Sequence, residues 1–278
     1  MAKTAAKKQT NQQQGQQARP PAVQGAPAGN STSGLILMGD KHDVTHLNTG
    51  AQARGNENVA MDDLVIPRLE IVQGLSPAVK PNDPGYIEGA RQGDLINSVT
   101  NQNYGREVFL VNVHYAKLWL VWKKYSEGGG FFGAFPGSAE AEARAEEEGG
   151  KRAHIEVVDT PQHLCLIIDR ANNRVDEIML ALARTKAKVS RAWNTMIRLT
   201  GQDRFARVYR ITTALEKNKK GQEYYNFVVA QTGFAAKPLF QHAERLYTQI
   251  TKGERNVVMD TKGYGATGEP GEDANSEM

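Results

Sequence analysis

Cysteine is almost missing from this chain: Cys165 is the only one in 278 residues, so neither an internal disulfide nor a cysteine-built zinc site exists. Long apolar runs are missing too, and none reaches the length a membrane-spanning helix needs. The start carries Lys3, Lys7 and Lys8, but no apolar stretch follows of the kind a secretory signal requires. A soluble protein of a reducing, cytoplasmic compartment is therefore expected, with no membrane partner. A strong net charge is also lacking. At +3 the overall balance does not point to a polyanion, so the distribution of charge must carry any such argument.

The usual signs of catalysis are absent as well. Gly128–Gly133 lacks the Lys and Ser or Thr of a phosphate-cradling loop. His42 and His46 have a spacing that suits a metal, but no glutamate-based zincin motif surrounds them. His114, His154, His163 and His242 are scattered, and Glu146, Glu147 and Glu148 are contiguous on a run expected to be solvated. No nucleophile elbow occurs. The expectation is a binding protein that is not an enzyme and holds no cofactor or metal.

Composition divides the chain into three. Residues 1–60 begin with a Gln, Ala, Pro and Gly-rich stretch whose charged side chains up to Gly34 are all basic, a composition expected to stay disordered. Residues 61–253 hold the folding core. Residues 254–278 form a flexible Gly-rich tail with Glu269, Glu272, Asp273 and Glu277.

Within the core, Asp63–Gln73 reads as an extended segment, with Pro67 arguing for an edge. Glu107–Tyr115 and Ala116–Tyr125 are dense in Val, Leu and aromatics and read as one long strand or two joined by a bend. Gly128–Gly133 reads as a flexible aromatic loop, and Ser138–Glu148 as a helix capped by Ser138. His154–Asp159 and Gln162–Asp169 suggest a hairpin turning at Thr160 and Pro161, with Val175–Ala183 returning as a strand. Thr185–Thr200 repeats Val189, Trp193, Met196 and Ile197 at helical spacing before Gly201. Phe205–Leu215 and Gln222–Ala230 form a hairpin, and Pro238–Thr251 a closing helix. The fold expected is mainly β with a few helices.

Three places combine positive charge with exposed or flat side chains. On the strand ending at Tyr125, alternation puts Lys117, Trp119, Val121, Lys123 and Tyr125 on one face, where rings could stack on bases and lysines neutralise phosphates; the plainer reading makes the tryptophans core and the lysines solvated. On the 185–200 helix, Lys188, Arg191 and Arg198 lie opposite the apolar arc, with Lys186 just before it. Acidic residues are missing from Arg184 to Gln202, which sets this face apart from an ordinary solvated one. Arg207 stands on the next strand, and Lys219 and Lys220 at the hairpin tip, where they could equally serve solubility.

With these residues in view, the chain resembles phage-encoded single-stranded DNA-binding replication proteins, the oligonucleotide-binding-fold class that includes the T7-type helix-destabilising protein. The likeness is carried by Lys117–Tyr125, by Thr185–Asn194 reading TKAKVSRAWN, and by the hairpin from Phe205 to Val229. It implies an antiparallel barrel whose open face holds single-stranded DNA, acting in replication or recombination in the host cytoplasm. It also implies an acidic carboxyl terminus that recruits replication partners, although this chain ends in Met278 without an acidic tip and terminal aromatic. RNA as the ligand and self-association both stay open. The rival expectation is a virion structural or assembly protein.

Overall fold

The computed structural model describes residues 55, 57–59, 63–124, 127–169, 174–218 and 221–257. Every strand and helix among the described residues lies in the second of two units, Glu57–Met278. The basic arm, the His42 and His46 pair and the acidic tail lie outside the described residues, as do Tyr125, Lys219 and Lys220.

The protein is mainly β, and its strand pairing is antiparallel. Strand β4 (Glu107–Lys123) is the central one: 17 residues rich in β-branched, leucine and aromatic side chains run on without a break. It pairs along nearly its whole length with β6 (Ile155–Asp169). Its other edge is shared, the first part by β8 (Arg207–Lys217) and the last by β5 (Phe131–Phe135). Strands β7 (Arg174–Ala181) and β9 (Glu223–Phe234) complete the order β7-β6-β4-β8-β9. A small second sheet holds β1 (Leu69–Ile71), β2 (Leu95–Asn97) and β3 (Asn103–Gly105).

A bulge decides which way β4 faces. Asn112 pairs with Cys165 but His114 pairs with Leu164, leaving Val113 as the extra residue. One added residue reverses the alternation that follows. Val108 and Leu110 therefore point into the main core with Leu180, Trp193, Tyr209 and Ile211. Val111, Val113 and Leu120 share the opposite face with Leu246 of helix α3 (Lys237–Thr251). Beyond the bulge, Val121 comes back to the first side, where Ala141 and Ala145 of helix α1 (Ser138–Glu147) cover it.

The expected barrel does not close. Strands β7 and β9 are the two ends of the sheet, with no ladder between them among the described residues. The segment carrying β1 occupies the gap instead. Arg68 forms a parallel bridge with Met179 of β7, and the Pro67 carbonyl accepts the Met179 N–H at 2.8 Å. At the segment's far end the Gln73 side-chain amide serves β9 in place of a strand. Its Nε2 donates to the Tyr225 carbonyl at 2.8 Å, and its Oε1 accepts the Tyr225 N–H at 2.9 Å.

Three local expectations are corrected. No hairpin turns at Pro161, because β6 runs straight through it. Its ladder to β7 starts only at Gln162, so the proline stands where that side is still an edge and its missing N–H costs little, while its carbonyl accepts the Leu182 N–H at 2.8 Å. Phe131–Gly133 belongs to β5, not to a loop, as Phe131 pairs with Trp122 and Gly133 with Val121. Ser138 is the first residue of α1, not its cap. The cap position falls on Gly137, with no side-chain bond.

Candidate nucleic-acid interface

Helix α2 (Ala187–Leu199) follows a short 3-10 turn at Arg184–Lys186 and carries most of the candidate site. Its inner face buries Ala187, Ser190, Trp193 and Ile197, with Val189 and Met196 packed alongside. This face is anchored by a polar network as well as by apolar packing. Asn112 Nδ2 donates to His163 Nδ1 at 2.9 Å, which leaves the ring proton on Nε2 to be donated to Ser190 Oγ at 2.8 Å. Arg204 completes the web, donating through Nη1 to Asn112 Oδ1 at 3.3 Å and through Nη2 to Asn194 Oδ1 at 3.0 Å. Burial, with the positive charge of Arg204 second, pushes the His163 pKa down to about 3, so the ring is neutral. Burial likewise raises the Cys165 thiol.

The outer face of α2 keeps the expected cations. Lys188, Arg191 and Arg198 are exposed on one stripe with Thr195 between the arginines. Lys188 Nζ meets Glu216 Oε2 at 2.7 Å, which holds the start of α2 beside the end of β8. Burial opposes ionisation of Glu216, but bonds from Lys188, Asn226 and Tyr224 outweigh it and hold the carboxyl below its ordinary range. Arg191 and Arg198 meet no carboxylate among the described residues. Lys186 lies at the foot of the helix with its ammonium 5.9 Å from the centre of the Phe227 ring.

Past the end of α2 the chain turns at Gly201 and enters β8. Gln202 Oε1 accepts a bond from Arg207 Nε at 2.9 Å. Arg207 and Arg210 diverge as expected, the latter meeting Glu107 at 3.3 Å. Tyr209 joins the main core, while Phe205, just ahead of the strand, packs in the cluster under α3.

The β4 group stands beside α1. Trp119 pairs with Phe135 and packs half-buried with the α1 cluster. Lys117 reaches across its ring, 4.8 Å from the centre, to meet Asp159 at 3.1 Å. Lys123 is half-buried at the strand's end. The two groups approach at one carboxylate, since Glu156 receives Lys124 at 3.1 Å and Arg184 at 2.6 Å, the latter just before α2. Thus Lys188, Arg191 and Arg198 share one exposed stripe of α2, Arg207 stands on the strand that follows the helix, and Lys117 and Trp119 stand on β4 beside α1.

Two features escape sequence reasoning. The anchors of α2, namely Asn112, His163, Ser190, Asn194 and Arg204, are polar letters whose burial no periodicity reveals. Phe234, paired with Arg207 across the β8/β9 ladder, is hidden at the end of a strand expected to stop at Ala230. Among the described residues no three His, Cys, Asp or Glu side chains gather to hold a metal ion. No helix among them is long and apolar enough to cross a membrane.

Residues 38–256 match the model of a family described as Pam3 phage gp34-like protein. No curated protein and no solved structure matches the chain.

Proposed function

This chain belongs to the Pam3 phage gp34-like protein family and is a phage protein, and from that footing we propose that it binds single-stranded DNA without reading its sequence, in phage DNA replication or recombination in the host cytoplasm. The observation that carries the reading is the outer face of α2. Arg191 and Arg198 sit two turns apart on a helix without acidic residues, and no carboxylate neutralises them among the described residues. Each is free to take a phosphate and release its counterion, with Lys186 and Lys188 at the start of the same helix and Arg207 on the strand that follows it. The anchoring network holds these charges at fixed spacing before any ligand arrives, which lowers the ordering cost of binding.

Binding fits better than catalysis. His163 and Cys165, the side chains with the most familiar reactivity near this helix, are both sealed in the core and held uncharged. The second reading is a virion structural or assembly role. It is favoured by Leu199, which ends α2 with 82% of its surface exposed and would suit a protein contact.

The deciding experiment is a fluorescence anisotropy titration of labelled poly(dT) and of duplex at several salt concentrations. Preference for the single strand, with affinity falling steeply as salt rises, is expected. Salt-insensitive binding, or large particles formed without DNA in light scattering, would favour the assembly role.

A further inference from the structure

We propose that Phe234, backed by Arg207, is the ring on which an unpaired nucleobase stacks, which makes this end of the β8/β9 ladder the element that selects single strands over duplex. The inference rests on the single-strand reading above and adds to it a site for the base.

The geometry is specific. Arg207 and Phe234 face each other across the last pair of the β8/β9 ladder, and the guanidinium carbon lies 4.2 Å from the ring centre. One face of the ring is thus covered by a flat cation, whose orientation is set by the bond from Arg207 Nε to Gln202. The remaining surface is open, as Phe234 is 65% exposed and belongs to no core cluster. A bulge in β9 produces this placement. Val208 pairs with Gly233 and Tyr209 with Gln231, so Thr232 is extra, and its hydroxyl donates to the Val208 carbonyl at 3.0 Å. Such a bulge re-aims the residues that follow it.

The tryptophans are poorly placed for this role. Trp193 is fully buried, Trp122 nearly so, and Trp119 packs with the α1 cluster. Phe234 is open, and the Gln202 that holds its Arg207 follows Arg198 by four residues, across the turn at Gly201 that ends α2. A strand held at Arg207 can lay a base on the free side of the ring, giving a base, phenyl and guanidinium stack. In duplex DNA both faces of each base are already occupied by neighbours, so the ring discriminates against it.

The test uses the full chain with Phe234→Ala, Phe234→Trp and the Arg191→Ala/Arg198→Ala double variant. The probes are labelled poly(dT) and an abasic oligodeoxynucleotide that keeps the phosphates but offers no bases. Phe234→Ala should weaken poly(dT) binding about 5- to 100-fold while leaving abasic binding unchanged. Phe234→Trp should gain an emission that poly(dT) quenches and duplex does not. Wild-type affinity of Phe234→Ala for poly(dT), with no quenching in Phe234→Trp, would overturn the proposal. If the arginine variant still lost affinity in that case, the single-strand reading would survive without it. If wild-type protein bound neither probe, that reading itself would fall. Circular dichroism checks that each variant is folded, which the exposure of residue 234 favours.

Discussion

The indole of Trp193 lies on the imidazole of His163, with ring centroids 4.6 Å apart and planes inclined by only 15°. His163 belongs to β6 and Trp193 to α2, so this stack, with the bond from His163 to Ser190, fastens the candidate binding helix to the sheet. The fastening depends on an uncharged ring.

A pH dependence follows from that. Folding lowers the His163 pKa from 6.5 to about 3, so between those values the unfolded chain binds the extra proton. Stability is then fully present above about pH 6.5 and declines as pH falls toward 3. Urea denaturation at a series of pH values should show this decline in the wild type and a shallower one in His163→Asn. Parallel profiles would mean that His163 does not titrate in this way.

Ser190→Ala removes the acceptor for the His163 Nε2–H, which then loses its partner in a buried site. The expected loss is about 1–3 kcal/mol, read from denaturant midpoints. Because the exposed face of α2 is untouched, poly(dT) affinity measured well below the melting temperature should change little.

Trp119→Ala separates packing from binding on β4. The side chain packs with the α1 cluster, so its removal should cost about 2–4 kcal/mol of stability. Lys117→Ala, which gives up an exposed pair with Asp159, should cost at most about 1 kcal/mol. Neither change should weaken single-strand binding. A large loss of affinity in either would return the β4 face to the interface.

The arginine pair has its own signature in salt. For the Arg191→Ala/Arg198→Ala double variant, the slope of log affinity against log salt should flatten by roughly 0.7 for each phosphate that is no longer neutralised. An unchanged slope would mean that the phosphates are held elsewhere.

Gly93 tests the joint between the two sheets. Its φ of +87° suits glycine, and a Cβ there would come within 2.7 Å of the Tyr225 ring, beside the Gln73 bonds. Gly93→Ala should therefore destabilise by about 2 kcal/mol or more and speed amide exchange at Tyr225.

Long, strongly patterned elements are legible from residue order alone. β4 announces itself through its density of Val, Leu and aromatics, α2 through the recurrence of Trp193, Met196 and Ile197, and the 205–230 hairpin through its polar turn. Pro161 misleads because a proline's local penalty is small where the strand has one side without a ladder. β5 escapes because the neighbouring glycines disguise a short aromatic strand. At the candidate site the acid-free helix face is visible, as it depends on composition and spacing. Phe234 and the Asn112–His163–Ser190 chain are not, since each matters only through residues distant in sequence. Lys117 and Trp119 do share one face, but nothing local reveals that α1 packs against it.

The stretch from Pro67 to Gln73 bridges β7 on one side and β9 on the other. A fragment beginning after Gln73 would leave both flanks of the main sheet with bare amides and carbonyls, ready templates for a neighbouring molecule. Its fault would be stickiness more than weakness, so a well-behaved shortened protein has to begin ahead of Ile66.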